Sequence, residues 1–416
     1  MRCFRWKLPS ILFVAGFAIS LPGQAMDTST PVSSIQIATE FAWKRHPEAA
    51  ALDARDAEAQ AAQERAAKIT PEPGSVSISS RNDRLNRNLG QQEYEIEMAT
   101  PLWLPGQKLA HEIEATARVT EAGARRAALR WEVAGEVREA WWNLASARNG
   151  NALAVRRLES ARALEMDVQR RYKVGDLSRI DANLAQTEMH TAQADLLESE
   201  AALTQAEQVF LLLTGESAPD SLDTEKLTVQ ISPKQLADTP MSHPLVAKAY
   251  SALASARARA KVAWQSQRAA PELALRMVRE RGAGEPNYSN SVGIRLKIPF
   301  SSGAQIRQAN AAAQAEMIQA EYEMQQVRNK VQLTLDQLLR LQKSVGQQVT
   351  IAQQSREFAQ ENLQLAEKAF RLGESDLTTL LRMRAAAFNA ESLLDRQRLN
   401  QATVISRLNQ ALGALP

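Results

Sequence analysis

The sequence offers few residues that could carry out catalysis or bind a metal. It contains four histidines and one cysteine. The stretch HEIEA begins at His111, but Ala115 stands where a zinc-protease pattern needs its second histidine. His190 lies alone among polar residues, and the sequence has no glycine-rich phosphate-binding motif. We therefore expect no enzyme, no catalytic residue, no metal site and no cofactor.

Charged residues recur in two segments in which they alternate with apolar residues. A period of two is typical of strands with one apolar and one polar face. A polar loop containing Arg81 and Asn82 is expected between the strands of the first segment. Either a soluble sheet or a membrane β-barrel with lipid outside and water inside explains the pattern. Four strands cannot close a useful barrel, so the second explanation requires several protomers. The alternating charges are Glu93, Glu95 and Glu97 in the first segment and Arg295 and Lys297 in the second.

The strands belong to a sequence pattern that occurs twice, at an interval of roughly 198 residues. The His-Pro dipeptide at 46–47 recurs at 243–244, and Gly175 recurs as Gly373. Each half is predicted to contain a helix interrupted at His-Pro, a β-hairpin, a long helix, a tip turn and a returning helix. Proline causes the interruption because it lacks a backbone donor and disfavours helix in the residue before it.

Two long stretches without proline, 107–172 and 304–370, are the predicted long helices. At 1.5 Å per residue each would span roughly 100 Å. A helix of that length has no place in a compact domain, whereas a coiled-coil tube requires it. The returning helix and the shorter helix after His-Pro add up to about the same length. Stacked end to end, they are expected to form a second stave beside each long helix.

The composition agrees with long helices and with export from the cytoplasm. Aromatic residues make up 5% of the chain, while Ala, Gln, Glu, Arg and Leu are abundant. Residues 1–25 read as a secretory signal peptide, with basic residues before an apolar stretch and small residues at its end. Its removal would lower the formal charge from +3 to about 0 and remove Cys3, the only cysteine. Nucleic-acid binding, disulfides and thiol catalysis are therefore not expected.

The ordered set of motifs resembles the TolC-like outer membrane efflux proteins. The resemblance rests on the order of elements, the steps PLWLPG and PFSSG from strand to long helix, the two tip turns, and the endings LTG and ALG. It implies a mainly α protein with a small β part: a long α-helical coiled-coil barrel continuing a transmembrane β-barrel shared between three protomers. It also implies a homotrimer in the outer membrane of a Gram-negative cell, with a periplasmic adaptor and an inner-membrane transporter as partners.

The resemblance implies roles for residues at the two tips. The tip turns would dock the periplasmic adaptor, and the residues just beyond them would form the tunnel constriction. Thr379 and Arg382 stand where the best-known branch of the family has acidic residues, so an acidic ring is not expected. Arg382 would make a basic constriction or pair with a neighbouring helix. The docking residues are Gly175, Asp176, Gly373 and Glu374, and the constriction residues are Asp181, Phe370, Thr379 and Arg382.

The strand charges would face the lumen of the barrel. Glu97 and Arg295 are repeat equivalents and should lie at similar heights, so a pair between them is favoured over a binding site. The complete set of expected lumen residues is Glu93, Glu95, Glu97, Arg295 and Lys297.

The predicted function is a passive exit duct of a tripartite efflux system. The step LPG followed by Gln107 and Lys108, with a short extracellular loop, resembles the branch that serves heavy-metal cation pumps. The same architecture serves drugs and secreted peptides. The alternative is a soluble periplasmic coiled-coil adaptor or structural protein, which has no need of the alternating hairpins. The predicted organisation is a signal peptide at 1–25, a first repeat at 26–216 with its hairpin at 74–102, a linker at 217–234, and a second repeat at 235–416 with its hairpin at 272–299.

Overall fold

The predicted mainly α fold with a small β part is confirmed. In the described part of the chain, seven helices accompany one four-stranded sheet. The predicted signal peptide, the end of the predicted linker and the start of the second predicted repeat lie outside the described residues. The computed structural model describes residues 34–85, 88–227, 243–266, 268–300 and 303–416.

The first two helices meet at the His-Pro dipeptide. Helix α1 spans Ile35–Arg45, and helix α2 spans Pro47–Ala67. Ser34 caps α1 because its hydroxyl accepts a hydrogen bond from the backbone N–H of Ile37. His46 is extended, as a residue before proline prefers to be. The proline then begins α2 at a position where the missing N–H costs no helical hydrogen bond.

The four strands form two antiparallel hairpins joined in one sheet. The strands are β1 (Ser75–Asn82), β2 (Gln92–Pro101), β3 (Glu272–Arg281) and β4 (Ser289–Lys297), in that order across the sheet. The central β2–β3 pair joins the two halves of the chain. Among the described residues, β1 and β4 each pair along one side only.

The loop expected after the first strand begins later than the sequence suggested. Arg81 and Asn82, predicted to lie in the loop, belong to β1 and pair with Glu93 and Gln92 of β2. The prediction was wrong because the ladder is made by backbone groups, which pair regardless of whether the side chains are polar. Strand β1 therefore continues beyond its last apolar residue, Ile78, through Asn82.

Two long helices dominate the structure. Helix α3 (Gln107–Lys173) has 67 residues and α6 (Gly303–Arg371) has 69, so each is roughly 100 Å long. The remaining helices are α4 (Arg179–Thr214), α5 (Pro244–Gln265) and α7 (Leu377–Ala411). Both α2 and α4 pack on α3, while α5 and α7 each contact α3 and α6. The shorter helices thus lie beside the long ones as the expected second staves. No helix among the described residues is long and apolar enough to cross a membrane.

Buried apolar residues form several clusters along the helices. One cluster surrounds Trp141 and Phe210, whose ring centroids lie 6.1 Å apart, where α1, α3 and α4 meet. Another lies near the tips and a third lies between α6 and α7. Helix α6 also leaves apolar residues exposed at seven-residue intervals: Ile351, Phe358 and Leu365. This is the spacing of a coiled-coil seam, so this face of α6 is suited to contact another helix.

Candidate functional site

One face of the sheet is apolar and exposed. Ile294, for example, keeps 78% of its surface accessible. Monomeric soluble proteins rarely expose contiguous apolar patches larger than a few hundred Å². The face therefore requires apolar surroundings. Its exposed apolar residues are Val76, Ile78, Tyr94, Ile96, Met98, Leu273, Leu275, Met277, Val292, Ile294 and Leu296.

The opposite face of the sheet carries the five charged residues that the sequence singled out for the lumen. Arg295 contacts Glu97, in agreement with their repeat-equivalent positions, and Glu97 is only 5% exposed. Glu95 and Glu93 lie on the same face further along β2. Lys297 Nζ lies 3.3 Å from Glu272 Oε2. The polar face is therefore lined by charges that are largely paired.

The structure adds Arg276 to this polar face. Its Nε lies 2.6 Å from Glu95 Oε1, and its Nη2 lies 3.7 Å from Glu93 Oε1. Arg276 stands directly opposite Glu97 in the β2–β3 ladder. The alternation of β3 signals that Arg276 faces away from the apolar side. Its partners were not predicted, because they depend on the register between strands from different halves of the chain.

The two tips are tight turns with one glycine each. Gly175 and Gly373 have φ values of 84° and 76°, a conformation that favours glycine. The N–H of Asp176 donates to the carbonyl of Arg171 at 2.9 Å, so the last turn of α3 is closed in a Schellman arrangement. The second tip repeats this geometry, and Glu374 is exposed there as Asp176 is at the first. Both tips thus present a glycine followed by an accessible acidic residue.

Two of the predicted constriction residues take part in helix capping. Asp181 and Ser178 form a capping box at the start of α4, with Asp181 Oδ2 2.7 Å from the Ser178 hydroxyl oxygen. At the start of α7, the backbone N–H of Thr379 donates to Asp376 Oδ1 at 2.8 Å. Hydrogen bonds from the Thr379 side chain and backbone lower the pKa of Asp376, and nearby Arg382 contributes to the shift.

The other two predicted constriction residues have opposite surroundings. Phe370 is 5% exposed and packs against Leu164 and Leu377, with the guanidinium of Arg171 at 5.0 Å from its ring centroid. Its ring therefore belongs to the packing between helices near the tips. Arg382 is exposed on α7. Of the four predicted residues, Arg382 is the most exposed to solvent.

Arg384, which the sequence analysis did not single out, bridges three helices near the tips. Its Nη2 donates to Glu367 Oε1 on α6 at 3.0 Å, and its Nη1 donates to the carbonyl and hydroxyl oxygens of Ser160 on α3, each at 3.1 Å. It therefore ties α7 to both long helices. No sequence motif marks this role, since Glu367 lies across the tip turn from Arg384 and Ser160 belongs to the other half of the chain.

A buried ion pair was also missed by sequence reasoning. Arg138 of α3, with its side chain 3% exposed, donates from Nη2 to Glu225 Oε1 at 2.8 Å. Its Nη1 donates to the carbonyl of Ala414 at 3.0 Å and also contacts Gln410. The hydroxyl of Ser406 donates to Glu225. One arginine thus joins the segment after α4, the C-terminal end of α7 and the middle of α3.

The segment after α4 is held along its backbone as well. Trp141 Nε1 donates to the carbonyl of Asp223 at 3.1 Å, and Asn409 Nδ2 donates to the carbonyl of Lys226 at 2.9 Å. These bonds attach residues 223–226 to α3 and α7. We call residues 223–226 the strap. It joins the two halves of the chain at mid-length of α3.

His243 and His46 occupy equivalent positions but differ in their hydrogen bonding. His243 is 1% exposed, its Nδ1 accepts from the backbone N–H of Leu245 at 3.2 Å, and its ring meets Trp131 edge-on at 4.8 Å between centroids. The Nδ1 of His46 has no hydrogen-bond partner among the described residues. Burial lowers the pKa of His243 to about 4. Protonated Nδ1 could not accept the bond that caps α5.

Acidification is expected to destabilise the chain through His243. The pKa of the folded state lies below the ordinary value of 6.5, so the unfolded chain binds the proton more readily. The stabilisation is complete above pH 6.5, falls as the pH is lowered through 4, and amounts to roughly 3–4 kcal/mol per chain when fully lost. As the pH is lowered from 6.5 to 4, the thermal midpoint of the wild type should therefore fall more than that of His243→Asn. The asparagine keeps an acceptor that can cap the helix. Equal slopes in the two proteins would contradict this role.

The fold is shared with solved outer membrane channels. The outer membrane protein VceC of Vibrio cholerae is 15% identical, with 91% of this chain and 96% of that chain covered at a TM-score of 0.74. The Campylobacter jejuni CmeC outer membrane channel is 14% identical, with 98% and 94% covered at 0.75. CusC, described for its folding and transmembrane channel formation, is 17% identical, with 95% and 96% covered at 0.76. The sequence matches no protein-family model, and no curated protein is similar to it in sequence.

Proposed function

We propose that this chain, which has the fold of TolC-like outer membrane efflux channels, forms the passive exit duct of a tripartite efflux system. In this proposal it lies in the outer membrane of a Gram-negative cell, and its helices form a periplasmic tunnel. The exposed apolar face of the sheet is the observation that carries the proposal, because lipid supplies the apolar surroundings that this face requires. A soluble adaptor or structural protein would leave the same face in water.

The strands have the dimensions of membrane-crossing strands. They contain eight to ten residues, close to the roughly 9–11 that a tilted strand needs to cross the hydrocarbon layer. An open sheet edge cannot lie in lipid, since its backbone groups would have no hydrogen-bond partners. We infer that β1 of one protomer pairs with β4 of the next and that three protomers close the barrel.

The helices support the same assembly. The exposed seam of α6 at Ile351, Phe358 and Leu365 needs an apolar partner. Helix α4 exposes Leu197 and Leu211, which are fourteen residues apart and therefore lie on one seam of the same heptad spacing. We infer that α6 of one protomer packs on α4 and α2 of its neighbour. The two proposed structural repeats, 26–216 and 235–416, would then alternate around the tunnel.

The polar face of the sheet would form the wall of the channel. Its arginine and glutamate side chains are paired within the protomer, as Arg276 with Glu95 and Arg295 with Glu97 show. Paired charges leave a weak net field and favour passive conduction over tight binding of one ion. The lumen residues proposed from the sequence therefore act as a polar lining.

A metal cation is the cargo suggested by the step LPG followed by Gln107 and Lys108 and by the short extracellular loop, while the same architecture also serves drugs and secreted peptides. In the structure Gln107, the first residue of α3, has a local role: its Oε1 accepts from the N–H of Leu104 at 3.1 Å, and its Nε2 donates to Ser266 Oγ at 3.1 Å. The side chain therefore fixes the turn between strand and helix. A passive duct needs no metal ligands of its own. Transport of a cation therefore does not require the side chains of the turn between β2 and α3 to bind it.

Recording from planar lipid bilayers tests the proposal directly. Protein purified in detergent and added to one side is expected to give discrete conductance steps, whereas protein denatured beforehand gives none. Stable membranes without steps, at protein concentrations where insertion is verified, would contradict a channel function. The ratio of the current carried by metal cations to that carried by chloride then shows whether the channel prefers cations or anions.

The tip turns are expected to be needed for efflux but not for assembly. In Gly373→Val, nothing lies within 4 Å of the new Cβ, but a φ of 76° strains a β-branched residue by about 1–3 kcal/mol. We expect reduced export by cells, with trimers intact by size-exclusion chromatography, because the altered turn no longer docks the adaptor. Gly346→Val, at a half-buried helical position with no atom within 4 Å of the new Cβ, is the matched control. Normal export by Gly373→Val would remove this tip from the mechanism.

Arg382 is expected to influence ion selectivity. It is exposed on α7 close to the tip, so three copies would place three positive charges near the tunnel end. Arg382→Asp should shift the reversal potential in a salt gradient toward cation selectivity. Arg170→Asp, a matched change at an exposed position on α3, should shift it less. An unchanged reversal potential in Arg382→Asp would place this residue away from the constriction.

A further inference from the structure

A small group of arginine and tyrosine side chains lies on the apolar face of the sheet, at the end away from the helices. Both hairpin turns are at this end, and the N–H of Gly284 in one turn donates to the carbonyl of Leu89 in the other at 3.0 Å. Arg279 pairs with Tyr94, which places it on the apolar face two residues beyond Met277. Arg281 has the same parity along β3, and Tyr288 directly precedes β4, two residues before Asn290, which pairs with Arg279.

The two arginines share one aromatic ring. The guanidinium carbon of Arg279 lies 4.7 Å from the ring centroid of Tyr288, and that of Arg281 lies 5.0 Å from it. Arg281 Nε also donates to the carbonyl of Gly90 at 3.0 Å, and the Tyr288 hydroxyl donates to Gln92. The ring is therefore anchored and holds both cations in place. We call Arg279, Arg281 and Tyr288 the arginine clamp.

The two arginines of the clamp have no carboxylate within salt-bridge distance among the described residues. Neither arginine forms an ion pair there, in contrast to Arg276 and Arg295 on the opposite face. Their cross-strand partners Gln92, Tyr94 and Asn290 are uncharged, and Glu280 points to the other face. Two guanidinium groups within about 10 Å repel each other unless an anion lies between them.

We propose that the arginine clamp binds the phosphate of an anionic glycolipid in the outer leaflet of the membrane. This inference rests on the proposed function, which places the apolar face in lipid. Strands rise about 3.3 Å per residue, so Arg279 lies roughly 7 Å beyond Met277, at the level where lipid headgroups begin. Arginine is suited to this ligand because its planar fork can give two parallel hydrogen bonds to phosphate oxygens.

Native mass spectrometry of the assembled protein, released from detergent, tests the proposal. The probes are lipid A with both phosphates, the same lipid without phosphates, and inorganic phosphate alone. The wild type is expected to retain the phosphorylated lipid. Its affinity for the dephosphorylated lipid should be lower by about tenfold or more. Inorganic phosphate at millimolar concentration should not displace the lipid. Displacement would assign the clamp to free anions and overturn the proposal.

Variants locate the effect on the protein. Arg279→Gln combined with Arg281→Gln should weaken binding of the phosphorylated lipid by about tenfold or more without changing binding of the dephosphorylated lipid. Arg81→Gln removes an exposed arginine at the same end of the sheet but on the opposite face, so it should leave lipid binding unchanged. Equal affinity of the double variant and the wild type, or an equal loss in Arg81→Gln, would overturn the clamp.

Tyr288 gives a second readout. Tyr288→Phe keeps the ring on which both guanidinium groups lie and should retain most of the affinity, whereas Tyr288→Leu removes the ring and should lose it. The same affinity in all three proteins would contradict a positioning role. A wild type found in the soluble fraction would overturn the proposed function and the clamp together. A wild type that inserts and conducts, with a double variant that binds lipid normally, would overturn the clamp alone.

Discussion

Replacing Ile294 by arginine is expected to abolish insertion of the protein into the outer membrane. Ile294 lies in the interior of β4 on the exposed apolar face, opposite Leu275 of β3. An arginine on the lipid face near the middle of the bilayer costs about 2–4 kcal/mol, and three copies in a trimer would cost roughly 6–12 kcal/mol. The amount of protein in the outer-membrane fraction, measured by immunoblot against total protein, checks this result.

The matched control is Ser291→Arg in the same strand. Ser291 faces the opposite side of the sheet, where it stands across from Val278, and an arginine there would extend into a polar lumen. We expect Ser291→Arg to reach the outer membrane in nearly normal amounts. Normal insertion of Ile294→Arg, or equal loss in both variants, would mean that the two faces do not differ as lipid and water sides.

Replacing Arg138 by alanine is expected to destabilise the folded chain by about 3–5 kcal/mol. The change leaves Glu225 without its arginine partner in a largely buried site, and removing one member of a buried ion pair leaves an uncompensated charge. The carbonyl of Ala414 also loses a donor. We expect the strap to detach, the thermal midpoint measured by far-UV circular dichroism to fall sharply, and the yield of assembled protein to drop.

Arg407→Ala is the matched control, because it removes an arginine that joins α7 to α3 close to Arg138. Arg407 of α7 makes two 2.8 Å hydrogen bonds to Glu139 of α3, one residue after Arg138, but both side chains are about half exposed. Exposed pairs typically contribute about 0–1 kcal/mol. A similar loss of stability in Arg407→Ala and Arg138→Ala would show that burial of the strap's ion pair is not what stabilises this region.

Much of the architecture could be predicted from the sequence because its signals are local. The absence of proline over long stretches, the glycines of the tip turns and the two-residue alternation of the hairpins each act on the backbone within a few residues. The end of β1 was misplaced since Arg81 and Asn82 continue the ladder without an apolar pattern. Packing of the short helices beside the long ones followed from length alone.

The side-chain networks could be predicted only in part. The pair between Arg295 and Glu97 followed from the repeat, which sets equivalent heights in the sheet. Glu95, Ser160 and Glu225 are the partners of Arg276, Arg384 and Arg138 from the other half of the chain or from the strap, and no local rule fixes which residues meet. Phe370 stays a predicted constriction residue from its position relative to Gly373, and the structure adds that its ring packs between helices near the tips.

The mass of the protein extracted by detergent from the outer-membrane fraction tests the central claim most directly. Light scattering corrected for bound detergent gives the mass of the protein part alone. We predict extraction from the outer membrane and a mass three times that of one chain, because three copies of the four-stranded sheet found in the described residues would form a twelve-stranded barrel. A water-soluble monomer or dimer would contradict the shared barrel and the function built on it.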